Sequence, residues 1–183
     1  QIVANVTALG LLIENVLITG QAIRGIPSHF NVTTALDGTI FSIMGIIIVI
    51  VSVMNLLLGI WLLFQRLPNP TIAWGIRLGV LISFVGMIVA FLMTSNPTPA
   101  QVAQMDAGQM PAAIGAHSVG VEDGGPGLPF VGWSTVGGDL RVDHFIGLPG
   151  MQMLHLLALV LSRRRTLNQR QQLLLVVTAG IAY

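Results

Sequence analysis

Thr39–Phe64, TIFSIMGIIIVIVSVMNLLLGIWLLF, decides the fold. Its 26 residues hold no charge. At 1.5 Å per residue they outreach the roughly 30 Å of a bilayer's hydrocarbon core. Asn55 is the one strongly polar residue in its interior. The rest of the chain is read outward from this span.

Composition gives the same answer. Of 183 residues, 54% are hydrophobic and 8% charged, and the mean hydropathy is +0.83. A soluble domain carries about 25% charge, so a bilayer must solvate much of this surface. The chain has no cysteine, which excludes structural disulfides, thiolate metal sites and cysteine nucleophiles. A net charge of +1, with no basic patch interleaved by aromatics, argues against nucleic acid as a partner. Both ends read as truncated: the chain opens on Gln1 and stops at Tyr183 within an apolar run. No signal peptide is recognisable.

The expected fold is an all-α integral membrane bundle in a single domain, with at least five spans. These are about 2–22, 39–64, 71–94, 144–162 and 171–183 onward. In the first span Thr7, Glu14 and Gln21 recur every seven residues and share one stripe, which should face protein. In the third, Gly75, Gly79 and Gly86 form a small-residue face suited to close helix approach. Residues 95–143 break the pattern with nine glycines, five prolines and five acids. They read as a long ordered loop, with Thr98-Pro99 starting a short helix over about 99–107.

Arginine placement sets the orientation. Arg163, Arg164, Arg165 and Arg170 mark the link after the fourth span as cytoplasmic. Alternation then puts the 65–71 turn inside, and the 23–38 link and the 95–143 loop outside. The outer segments hold six acids and two arginines, the inner links no acid. The expected location is a bacterial inner membrane, with the 95–143 loop extracytoplasmic.

Several residues are candidates for chemistry. Glu14 is a carboxylate within a span, a proton-relay candidate by default; the plain alternative is a hydrogen-bonded acid facing Asn55, Gln152 or Arg77. His144 and His155 are eleven residues apart, which on one straight helix is about three turns plus 20° and 16 Å. That suits axial ligands at two different depths for tetrapyrrole cofactors of the haem or chlorophyll type, each needing a partner from another helix or an open position, against the commoner outcome of a histidine bonded across helices. His29, His117 and His144 fall on the outer face and nominate a metal site, although tight ligand spacing is lacking. Arg24, Asp37, Asp123, Asp139 and Arg141 complete an outer polar cluster. Asp143 is the candidate cap of the fourth span. Glu122–Gly127 reads as a turn rather than an anion nest. Gly132-Trp133-Ser134 opens like a nucleophile elbow, but Val136 stands where the second glycine is needed.

RGIPSHFN at 24–31 and GAHSVGVEDGGPGLPFVGWSTVGGDLRVDHF at 115–145 resemble a family of uncharacterised bacterial multi-pass membrane proteins. The matching positions run through Arg24, Pro27–Asn31, His117, Asp123–Pro126, Trp133, Ser134, Asp139, Arg141 and His144. This chain departs at Asp143, Pro149 and His155, where the family pattern has proline, histidine and proline. The resemblance implies a membrane fold with a structured outer cap, and no particular reaction. The function expected on these grounds is an accessory or structural subunit of a membrane complex, contacting the bilayer and other membrane subunits. The alternatives are a metal- or haem-dependent redox or hydrolytic enzyme, and a proton-coupled carrier using Glu14.

Overall fold

A computed structural model describes residues 1–183. Seven helices account for most of the chain: α1 (Ile2–Ile23), α2 (Ala35–Phe64), α3 (Pro70–Thr94), α4 (Pro99–Asp106), α5 (Leu140–Gly147), α6 (Gly150–Ser162) and α7 (Gln169–Ala182). Two short strands, β1 (Ser118–Val119) and β2 (Gly138–Asp139), pair antiparallel. Helices α1, α2 and α3 are long and apolar enough to cross a membrane. Helices α5 and α6 make a fourth candidate span if taken together, bent by 42°. Large apolar side chains stay uncovered along these helices, among them Leu12, Val16, Ile46 and Leu81, as expected where lipid is the solvent.

The fourth span is therefore not the single helix expected over 144–162. Pro149 has no amide hydrogen to donate, and it lies between the two helices beside Gly147 and Gly150. The fifth expected span corresponds to α7, whose 14 residues reach only about 21 Å. Helix α2 begins at Ala35, earlier than expected. Thr34 Oγ1 accepts a hydrogen bond from the Asp37 amide at 3.1 Å and donates to the Asp37 carboxylate at 2.6 Å. This reciprocal cap starts the helix four residues before its apolar run.

The Cα framework groups into two compact units, Gln1–Met54 with Val89–Val142 and Asn55–Ile88 with Asp143–Tyr183. In the second unit α3 packs antiparallel on α5 and α6 through its small residues. A Cβ added at Gly75 would lie 2.5 Å from Ala158 Cβ, at Gly79 2.6 Å from Met151 Cα, and at Gly86 3.0 Å from Gly147 Cα. The glycine face expected for this span is thus its packing face. Ser83, between them, bridges the α5–α6 break. Its Oγ donates to Leu148 O at 2.9 Å and accepts from Met151 N at 3.1 Å. These are backbone groups at the break, and a hydrocarbon surrounding holds no water to satisfy them in place of the serine. Ser83→Ala is expected to cost about 1–3 kcal/mol through the stranded groups, read as a lower thermal midpoint in detergent. Ser42→Ala removes only a bond to Gly38 O on an exposed face and should leave the midpoint in place. Equal midpoints for the two variants would remove Ser83 from this role.

In the first unit α1 packs on α2, where a Cβ on Gly10 would lie 2.8 Å from Val51. The 24–34 link and the loop after α3 are joined directly. Val32 N donates to Ala112 O, Ile114 N to Phe30 O, and Ala116 N to Met93 O, with an antiparallel bridge between Asn31 and Ala113. The link after the first span and the loop after the third therefore meet, as three alternating spans require.

Candidate functional site

The polar cap is assembled from these two segments. At its entrance Thr98 and Gln101 form a capping box for α4. The Gln101 amide also pairs with Gly115, donating to its oxygen at 3.0 Å and accepting from its nitrogen at 3.2 Å. One side chain thus both starts a helix and imitates a backbone strand. Gly115 has φ +113, and a Cβ there would lie 2.6 Å from Met93 O, so only glycine fits.

Phe30 is the cap's buried centre. Its ring meets His117 edge-on at 4.7 Å, Phe41 at 5.7 Å and His29 at 6.4 Å, centroid to centroid. His29 and His117 are thus both brought to Phe30, each packed edge-on against its ring. Ser28 Oγ lies 2.9 Å from His29 Nδ1. Beyond His117, the Asp123 carboxylate accepts from the backbone amides of His117 (2.9 Å) and Ser118 (2.7 Å) and lies 3.1 Å from His117 Nδ1. Partial burial pushes this carboxyl up, but the hydrogen bonds from His117 and Ser118 outweigh it and hold the group below the usual range. The Glu122–Gly127 turn thus supplies its own carboxylate to the amides, instead of a nest for a foreign anion.

Asp139 organises the far side. Its carboxylate accepts from Ser134 N at 2.7 Å, from Arg141 N at 3.0 Å, and from Arg141 Nε and Nη2 at 2.9 and 2.7 Å. Only 2% of the side chain is exposed. The Arg141 hydrogen bonds are the largest influence, and with the amides they hold the Asp139 carboxyl down at about 2 against desolvation. Asp139 stands immediately before α5 and bonds the second amide of that helix. It is therefore the cap of this span. Asp143, expected in that role, lies a turn inside α5 and is exposed. Ser134 Oγ accepts from the amides of Val136 and Gly137, a turn-building role for the serine of the incomplete elbow.

Arg24 and Asp37 form an ion pair at 2.7 Å. Buried Gln21 accepts from Arg24 and donates to Asp37. Gln21 lies on the stripe shared by Thr7 and Glu14, and all three are at least partly buried. Glu14 itself is half-buried in α1. The signal for the buried Asp37 was present in the sequence: Thr34-Ala35-Leu36-Asp37 has the spacing of a reciprocal helix cap.

In the second unit His144 Nδ1 lies 2.8 Å from Gly86 O. A carbonyl only accepts, so Nδ1 carries the proton and Nε2 is the ring's open nitrogen. His155 is half-buried on α6. The 42° bend between α5 and α6 removes the straight helix on which His144 and His155 would have stacked as paired ligands. Arg77 turns to the end of α2, donating to Leu62, Leu63 and Gln65 carbonyls at 3.4, 3.2 and 2.8 Å. Nowhere are three or more histidine, aspartate or glutamate side chains gathered so that they could hold a metal ion. The expected trio His29, His117 and His144 is not such a group.

Compared with family models, curated proteins and solved structures, the chain gives no match.

Proposed function

We propose that the chain is a structural or accessory subunit of a membrane assembly, with its cap as a rigid platform for neighbouring subunits. One observation carries this reading: the cap's polar groups are spent on architecture. Asp123 binds backbone amides, Asp139 and Arg141 bind each other and the surrounding backbone, and Arg24, Gln21 and Asp37 form a closed set. A catalytic constellation keeps a nucleophile or base open toward substrate. The α4 surface is exposed beside these groups and offers a neighbouring subunit a place to dock.

The arginine asymmetry supports placing the cap on the extracytoplasmic side of a bacterial inner membrane, with Arg163–Arg170 in the cytoplasm. On that reading α7 belongs to a fifth span. A second reading rests on His144. A histidine whose Nδ1 is fixed by a carbonyl presents Nε2 as a ligand, the usual arrangement at metal and haem centres. Asp123 orients His117 in a similar way.

Purification from native membranes tests both readings. The subunit reading expects a colourless protein that copurifies with a fixed stoichiometric partner. A Soret band or stoichiometric metal, lost in His144→Ala, would establish the second reading and overturn the first. In intact cells an impermeant maleimide should label Glu122→Cys and spare Arg165→Cys; the reverse pattern overturns the orientation.

A further inference from the structure

The turn Leu128–Val131 departs from the rest of the cap. Phe130 is fully exposed, at 109% of its reference area, and Leu128 and Val131 stand near half-exposed beside it. Residues 126–138, PGLPFVGWSTVGG, carry no charge. Phe130 has φ +68, and Val131 N donates back to Pro129 O at 2.9 Å. That is a γ-turn of the left-handed kind, which is rare and strained for a residue with a bulky side chain. Its base is locked. Gly132 N donates to Leu128 O and Leu128 N to Trp133 O, while Gly127 bridges Ser134. A strained turn held rigid to present an aromatic ring outward calls for an occupant.

The position of the turn identifies that occupant. Arg141, in the first turn of α5, donates to Gly132 O at 2.8 Å, and Asp139, which caps α5, accepts from Ser134 N. The base of the turn is thereby tied, within one arginine's length, to the point where the chain enters its bent apolar helix pair. Taken as one span, the pair begins at that point, so the base of the turn stands at the end of the span. Membrane–water interfaces take uncharged apolar tips flanked by tryptophan, and Trp133 stands two residues after Val131.

We propose that the Leu128–Val131 turn inserts into the headgroup and upper acyl region of the bilayer that the helices cross, pinning the cap at a fixed height. This goes beyond the subunit reading and stands or falls apart from it.

The absence of native cysteine makes the test direct. Phe130→Cys, and separately Val131→Cys, would carry an environment-sensitive fluorophore in the full chain, reconstituted in nanodiscs of phosphatidylcholine and phosphatidylglycerol. Glu122→Cys serves as the water-facing reference. The expected result at both turn positions is blue-shifted emission, quenching by lipids bearing a doxyl group at carbon 5, and little quenching by iodide. Iodide quenching equal to that at Glu122→Cys, without doxyl quenching, would place the turn in water and overturn the proposal. Shielding from both quenchers in native membranes would show protein covering the turn, and would overturn it equally. Copurification is read separately, so failure of the insertion proposal leaves the subunit reading to its own test.

Discussion

Gly79→Ala is expected to destabilise the α3–α6 packing, although alanine is the better helix former. Propensity favours alanine by about 0.8–1 kcal/mol. Against this, the new Cβ would lie 2.6 Å from Met151 Cα and 2.9 Å from Gly150 O. Both are backbone atoms, so no rotamer change relieves the overlap and the helices must separate. Overpacking of this kind costs about 1–3 kcal/mol, and separation would also stretch the Ser83 bridge next to it. Net destabilisation should appear as a lower midpoint in denaturant or heat. Gly45→Ala is the opposite case. It sits within α2 with nothing inside 4 Å of the added Cβ, so its midpoint should hold or rise. If both substitutions moved the midpoint the same way, close approach would not be what the α3 glycines provide.

Asp139→Ala is the second large effect, and it should be local. The substitution takes the carboxylate from Arg141, leaving it only its bond to Gly132 O, uncaps α5 and frees the Ser134 amide. Removing one partner from a largely buried pair costs about 3–5 kcal/mol. Amide exchange or limited proteolysis should show residues 126–139 losing protection while α1 and α2 keep theirs. Unchanged protection of that segment would mean that Asp139 does not organise the cap. The pH dependence follows from the carboxyl's fall to about 2 from an ordinary 3.8. Its contribution, about 2 kcal/mol by linkage, is fully present above about pH 4 and is lost as pH falls toward 2. Opening of the segment between pH 4 and 2 in the native chain, absent in Asp139→Ala, would show that sign.

The residues that sequence reasoning placed well were those whose environment is local. Thr98-Pro99 opened α4 because capping depends on four consecutive residues. Gly75, Gly79 and Gly86 marked a packing face because helical periodicity brings residues at those spacings to one side. The misplaced ones needed a partner far along the chain, or a local competitor. Asp143 lost the α5 cap to Asp139 because Arg141 holds the latter, in a helix that starts at Leu140. His144 and His155 were separated by a bend at Pro149, whose backbone is bridged by Ser83 from 65 and 68 positions away.

Hydropathy is a sum over neighbours in the chain, so residence in a bilayer and the long apolar helices could be read from the sequence unaided. Which carboxylate is buried, which histidine nitrogen is open and which aromatic ring is left uncovered are facts about pairs. Phe30 and Phe130 show this: both have positive φ, and one is the centre of the cap while the other is its most exposed large apolar side chain. Only the folded chain separates them, because burial depends on what the rest of the molecule brings to each ring.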